Sequence, residues 1–266
     1  MIKSQPTTIG SETKRGQKDR FSVKNYLNSL VSNGSNWLLE DLSSRLMAGK
    51  KTFLVTPNPE FLVYASDNNW FREILEDADY AIPDGVGLAW AGKILATQPL
   101  TRITGVDLME KLCEEAAKRG WTVCFAGGFN ETGEEALAVL QKKYPSLKGF
   151  ALPLPVLSYD LLPRAAVREA INKINEYQPD LLFVALGMGK QEKFIADNLK
   201  DLNIKLAMGV GGAFDYLSTR SPRAPLFFRN VGLEWLYRLV REPWRAKRQL
   251  ALIKFVYLVF KEKLYS

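Results

Sequence analysis

A chain without a single histidine must find its general base among carboxylates, lysines, tyrosines and thiols. The same absence removes every Ser/His and Cys/His nucleophile pair and every His-ligated zinc centre. Asp84 is the carboxylate whose placement stands apart. It follows the apolar run Tyr80–Ile82 and precedes Gly85, on a turn between a strand and a helix expected over Val86–Lys93. From position alone, the commoner task for such a residue is to cap that helix. Asp77-Ala78-Asp79 spells DxD, a metal-diphosphate signature, but it ends a helix where solvated acids are routine. No other acidic cluster has the spacing of a magnesium or calcium cage. Gly127-Gly128 follows Val123–Ala126 and precedes a helix, so its backbone could approach a phosphate at a helix N-terminus. A tight turn without ligand explains that pair equally well. Gly187-x-Gly189-Lys190 lacks the Ser/Thr and the spacing of a P-loop, and no GxGxxG follows a strand. Both facts count against an NTPase and a standard dinucleotide site.

The elements that must position these residues alternate. Apolar runs occur at Thr52–Thr56, Tyr80–Ile82, Thr122–Ala126, Lys148–Leu152, Leu181–Leu186 and Leu206–Val210. Helix-period segments separate them, among them Leu108–Arg119, Glu131–Lys143, Pro163–Tyr177 and Gln191–Leu199, after a first helix expected over Ser35–Met47. Continuous apolar strands between amphipathic helices predict a mostly parallel sheet covered on both faces, an α/β doubly wound, Rossmann-like fold. In such a sheet the strand C-terminal ends form the ligand crevice. The turns Thr56-Pro57-Asn58, Pro83-Asp84-Gly85, Gly127-Gly128, Gly187–Gln191 and Gly209–Gly212 all fall at those ends.

Composition is that of an ordinary globular chain, 47% apolar and 24% charged over 266 residues. Two cysteines, Cys113 and Cys124, make no disulfide framework and suit a reducing cytoplasm. No apolar run reaches the roughly 18 residues that span a bilayer, and a secretory signal is not expected. Residues 1–22 read as a disordered polar leader, 23–230 as the α/β core and 231–266 as a helical, basic appendage. From Arg238 to Ser266 eight Lys/Arg face two Glu, which leaves the rest of a chain of net charge +7 nearly neutral. A nucleic-acid binder would more often spread its charge across the main domain, so nucleic acid is not the expected partner. Pro243 divides the tail into two helices. In the second, Lys247, Lys254 and Lys261 recur every seven residues on an otherwise apolar rod, with Trp235, Trp244 and Tyr257 as interfacial anchors. The expected partner of that rod is an anionic membrane surface.

The motifs occur in a recognisable order: Thr56-x-Asn58, Asp84-Gly85, Arg102-Ile-Thr-Gly105-x-Asp107, Gly127-Gly128, Gly187-x-Gly-Lys190-Gln191-Glu192, Gly209-x-Gly211-Gly212-x-Phe214-Asp215, Arg223-Ala-Pro225 and Glu234-Trp235-x-x-Arg238. Over about residues 35 to 250 the chain resembles the WecG/TagA/CpsF family of bacterial glycosyltransferases. The resemblance implies an inverting, metal-independent transferase that needs no cofactor and works at the cytoplasmic face of the membrane. Its donor would be a UDP-sugar, often of N-acetylmannosamine or its uronate, and its acceptor a polyprenyl-diphosphate-linked sugar such as GlcNAc. The products would serve teichoic acid, common antigen, capsule or exopolysaccharide. By motif, the resemblance makes Asp84 the catalytic base. It places Thr56, Asn58, Arg102 and Gln191 around the donor sugar and diphosphate, and Arg238, Arg245 and Arg248 over the diphosphate from the tail. Gly189 stands where the family usually has Pro, and Ser218–Pro222 departs from a segment that often carries a Gly.

Two other functions fit the composition. One keeps the fold for another nucleotide-sugar enzyme, such as a hydrolase or an oxidoreductase. The other is a non-catalytic basic membrane adaptor, for which Asp84 would be irrelevant. The sequence leaves homo-oligomerisation open.

Overall fold

The computed structural model describes residues 21–154, 164–218, 220–221, 223–230, 232–241, 243 and 246–265. The six strands β1 (Thr52–Val55), β2 (Tyr80–Ala81), β3 (Thr122–Gly127), β4 (Lys148–Leu152), β5 (Leu181–Ala185) and β6 (Leu206–Gly209) form one sheet in the order β2-β1-β6-β5-β3-β4. Every pairing is parallel. From β1 the chain winds out to β2 at one edge, and from β3 to β4 at the other; β5 and β6 fill the middle. This is the expected doubly wound α/β fold.

Helices cover both faces because the strands alternate. Phe53, Val55, Cys124, Ala126, Leu182 and Val184 point to one core. Leu54, Val123, Phe125, Leu181 and Phe183 point to the other. The first core is closed by α1 (Val23–Ser29), α3 (Pro59–Asp67), α4 (Asn69–Asp77), α5 (Val86–Ile94), α8 (Arg164–Tyr177), α9 (Lys190–Asn198) and α13 (Ala246–Tyr265). The second is closed by α2 (Ser35–Met47), α6 (Gly105–Arg119), α7 (Thr132–Lys143) and α10 (Ala213–Leu217). Two short helices, α11 (Leu226–Asn230) and α12 (Glu234–Arg241), lead into α13. Cys113 and Cys124 are free and buried.

Two departures from expectation concern the chain ends. The helix α1 precedes the expected first one. With seven residues it carries no readable period, and its N-terminus is stabilised from afar. Glu262 of α13 accepts hydrogen bonds from the Val23 N–H at 2.7 Å, the Lys24 N–H at 3.0 Å and the Ser22 hydroxyl. The tail helix is also half core: Phe255 and Val259 are 2% and 0% exposed against α1, α3 and α5. Burying each is worth about 1.5–3 kcal/mol. Lys254 is occupied by Asp67 at 2.6 Å, which interrupts the cationic line read from the sequence. Trp244 and Arg245, like the expected leader up to residue 20, lie outside the described residues, as do the side chains of Arg238, Lys247 and Arg248.

No helix among the described residues is long and apolar enough to cross a membrane.

Candidate active site

The β1–β2 ladder builds the site floor by continuing past its own strands. Beyond the Val55↔Ala81 pair, the Ile82 N–H donates to the Val55 carbonyl and the Asp84 N–H to the Pro57 carbonyl, both at 2.9 Å. The turn carrying Thr56 and Asn58 is thereby held beside the turn carrying Asp84. Asn58 caps α3, its Oδ1 accepting the Phe61 N–H at 3.1 Å. Asp84 caps nothing. The N-cap of α5 is Gly85, at φ +89°, with no side-chain bond to the helix, which corrects the expectation drawn from position alone. The Asp84 carboxylate turns instead toward α6, where its Oδ2 lies 3.5 Å from the Gly105 N–H. Thr104 caps α6 by accepting the Asp107 N–H at 3.2 Å. A Cβ on Gly105 would lie 3.3 Å from Thr56 Oγ1 and 3.8 Å from Asp84 Oδ2, so strand end, base and helix N-terminus meet at one point.

Desolvation dominates the electrostatics of Asp84. It pushes the carboxyl up to about 6, against the opposing pull of the Gly105 N–H and the Arg102 cation; Glu234 and Asp107 push the same way as burial. Arg102 is held in place from the tail side. Its Nη1 donates to the Arg229 carbonyl at 2.8 Å and its Nη2 to Glu234 Oε2 at 3.2 Å. Asp84, Asn58, Arg102 and Thr104 line a cleft of about 360 Å³, whose apolar wall is Val86, Trp90 and Val106 from the core with Trp235, Leu252, Phe255 and Val256 from the tail helices.

The family model of the Glycosyl transferase WecG/TagA/CpsF family matches residues 25–266, tail included. The chain belongs to this family. Among its relatives is a protein of Bacillus spizizenii strain W23 named N-acetylglucosaminyldiphosphoundecaprenol N-acetyl-beta-D-mannosaminyltransferase, 33% identical over 214 residues, 80% of each chain. A protein of the same name from Staphylococcus aureus strain MRSA252 is 34% identical over 212 residues, 79% of this chain and 80% of its own. A WecG/TagA/CpsF member is a glycosyltransferase, and the adaptor reading falls away.

In this WecG/TagA/CpsF chain the sequence-predicted residues do not all converge. Asn58, Asp84 and Arg102 line the cleft, and Thr56 lies behind them against Gly105. Gln191 is 3% exposed and outside the cleft lining. Its Oε1 accepts the Gly211 N–H at 3.0 Å and its Nε2 donates to Glu192 at 2.7 Å. Glu192 also accepts the Gly189 N–H at 2.7 Å, and burial raises its pKa to about 7 despite these bonds. Gly127 and Gly128 sit at the end of β3, at φ +85° and +92°, on the same sheet edge but three places along from β1. A Cβ on Gly127 would fall 2.8 Å from the Ala185 carbonyl oxygen, so close packing of strand ends accounts for that glycine. Asp79, of the DxD, accepts the Phe53 N–H at 2.8 Å and pairs with Arg45 at 2.9 Å, a structural task. Arg238 and Arg248 lie on α12 and α13.

Sequence reasoning missed several residues: Glu234, which grips Arg102; Trp90 and Phe255 in the wall; and Arg229 beside Arg102. Glu234 was visible only as part of a motif, and Trp235, read from the sequence as an interfacial anchor, lines the cleft instead. Arg229 carried no signal.

Proposed function

We propose that this glycosyltransferase moves an N-acetylmannosamine-type sugar from a UDP-sugar to the sugar of a polyprenyl-diphosphate-linked acceptor such as GlcNAc, with inversion and without a metal, in cell-surface polysaccharide or teichoic acid synthesis. The observation that carries the reading is the placement of Asp84: a carboxylate of raised proton affinity, at a helix N-terminus, beside one arginine and under an apolar wall. The relatives' printed names supply the acceptor class and the transferred sugar.

In a single in-line displacement the acceptor hydroxyl attacks the donor's C1 as the bond from C1 to the UDP oxygen breaks, and the hydroxyl proton passes to Asp84. A pKa of about 6 leaves Asp84 ionised at neutral pH yet more basic than an ordinary carboxylate. Negative charge grows on the departing diphosphate. Arg102 reaches the cleft to meet it, since guanidinium stays charged and bonds phosphate oxygens two at a time. Arg238, Arg245 and Arg248 take the same role from the tail. In support, α12 and α13 already supply Trp235 and Phe255 to the cleft wall.

The lipid-linked acceptor implies work on an anionic membrane surface, at its cytoplasmic face. The tail region presents suitable apolar groups to solvent: Phe227 is 69% exposed and Ile253 70%, with Leu226, Leu250, Tyr257 and Leu264 also exposed. Lys261 lies over the Tyr257 ring, a pairing suited to the headgroup layer.

The test is transfer from a panel of UDP-sugars to a short-chain GlcNAc-diphosphate-lipid with EDTA present. Product from one donor, lost in Asp84→Asn, is the expected result. Full turnover by Asp84→Asn would remove Asp84 from the chemistry, and activity restored only by added magnesium would overturn the metal-free mechanism.

A further inference from the structure

A second cavity of about 360 Å³ adjoins the cleft, sharing Arg102, Thr104 and Glu234 with it but not Asp84. Its charged lining is four cations, Arg102, Lys111, Arg223 and Arg229, against two carboxylates, Asp107 and Glu234. Those carboxylates are committed. Arg223 Nη1 bonds Asp107 Oδ1 at 2.6 Å, and Arg102 bonds Glu234 at 3.2 Å. Partial burial pushes the Asp107 carboxyl up, but its hydrogen bonds from Arg223 and Thr104 and the field of Arg229 hold it below the usual carboxylate range. Asp107 therefore remains an anion, bonded directly to Arg223 and reached by Arg229 only through its field.

The remaining cations are underused. Lys111 donates to Ser35, a neutral hydroxyl, at 3.0 Å. Arg229 has no ion pair or side-chain hydrogen bond among the described residues, and its Nε is buried without an acceptor. The Nε atoms of Arg102 and Arg223 are likewise buried and unaccepted; Arg223 Nε lies 3.7 Å from Glu234 Oε1, beyond hydrogen-bond reach. A buried N–H without an acceptor is costly, and native structures rarely leave one. All three belong to guanidinium groups that line this one cavity, whose charged lining carries two more cations than anions.

The geometry points to a second anion subsite, formed by Arg223, Arg229 and Lys111 on the far side of Arg102, that holds a diphosphate. The site itself stands on these side chains; the source of the diphosphate rests on the transferase reading. That reaction brings together two diphosphates, one on the nucleotide donor and one on the lipid-linked acceptor; with Arg102 and the tail arginines drawn to the departing diphosphate, the acceptor's diphosphate needs cations of its own. Leu226 lines the cavity and is exposed beside Phe227, which places the subsite next to the apolar surface and favours the lipid-linked diphosphate. Arg102, in both linings, would stand between the two anions.

Calorimetric titration of the full chain with inorganic pyrophosphate, UDP and a short-chain GlcNAc-diphosphate-lipid tests this. Arg229→Gln and Lys111→Gln are expected to weaken pyrophosphate and the lipid analogue by about tenfold each, the loss of one charge-assisted hydrogen bond, while UDP affinity stays unchanged. Arg229→Lys, which keeps the charge, should recover part of the loss and guards against a folding defect in the glutamine variant. Unchanged affinity for pyrophosphate and for the lipid analogue in both glutamine variants would overturn the subsite. Weakened UDP with an unchanged lipid analogue would overturn its assignment to the acceptor. A wild-type chain that transfers no sugar, yet whose pyrophosphate binding depends on Arg229, would sink the transferase mechanism and leave the subsite standing.

Discussion

The base predicts its own pH profile. With Asp84 at about 6 and the ionised form active, about 0.9 of the enzyme is competent at pH 7 and about 0.1 at pH 5. The ratio kcat/KM, which reports the free enzyme, should therefore fall about tenfold between those values. A carboxyl at the ordinary value of 3.8 would stay more than about nine-tenths ionised at pH 5, and its profile would be nearly flat. Both proposed substrates are diphosphate diesters and remain ionised throughout, so the limb belongs to the protein. Its position should respond with opposite signs to the two charges that flank Asp84. Arg102→Gln removes a cation that lowers the pKa and should move the limb to higher pH. Glu234→Gln removes an anion that raises it and should move the limb lower. Initial rates at subsaturating donor from pH 5 to 8, with a melting curve at each pH, suffice. A flat profile, or both variants shifting in the same direction, would refute the assignment of Asp84 as a desolvated base.

Three further outcomes follow from the same geometry. Because Asp84 binds its proton more tightly folded than unfolded, its ionisation costs stability as pH rises from 3.8 through about 6; Asp84→Asn should abolish transfer while melting no lower than wild type at pH 7.5, and a clear drop in Tm would contradict the desolvation argument. Phe255→Ala opens a cavity under α13 and should cost about 3–5 kcal/mol in denaturant unfolding; a loss under 1 kcal/mol would mean that the helix is not docked in solution. Gly127→Ala puts a Cβ 2.8 Å from the Ala185 carbonyl at a φ of +85° and should destabilise by more than about 1 kcal/mol, measured by thermal melting; an unchanged Tm would show that the strand ends can give way.

The sheet was legible because its inner strands are buried on both faces and so read as unbroken apolar runs. Lys148–Leu152 was placed to the residue; most of the others overran by one residue, at the point where the chain turns into the site. Asp84, Thr56 and Asn58 were legible as residues at strand C-terminal ends, since topology alone brings such turns together. The direction in which Asp84 points was not, because it depends on α6 arriving beside it and on Gly85 taking the cap position. Arg102 depends on Glu234, 132 positions away, and no local pattern encodes such a pair. The tail read correctly as two helices, while the burial of Phe255 and Val259 rests on shape complementarity with α1, α3 and α5, which periodicity does not report. Gln191 was assigned to the donor by motif, and the structure occupies its amide internally.

The bond between Glu262 and the start of α1 spans about 240 positions of sequence. It makes order of synthesis matter. While the chain is being made, α1 leaves the ribosome well before α13, with the Val23 and Lys24 N–H groups lacking Glu262 and the core around Val23, Tyr26 and Leu27 lacking its α13 side. Seven residues are too few to hold a helix unaided. The contacts of α1 with α5 and the bonds from Gln98 to the Asn28 and Leu30 carbonyls can form earlier, but its N-terminus lacks Glu262 until that residue has been made. Contacts of such long range also close slowly. The nascent enzyme therefore passes through a stage in which the sheet can form but one flank of its core lies open, and that flank is the one whose closure completes the wall of the cleft. A chain still without α13 would carry the base and the core side of the wall but lack Leu252, Phe255 and Val256, so the cleft is complete only once that helix has been made.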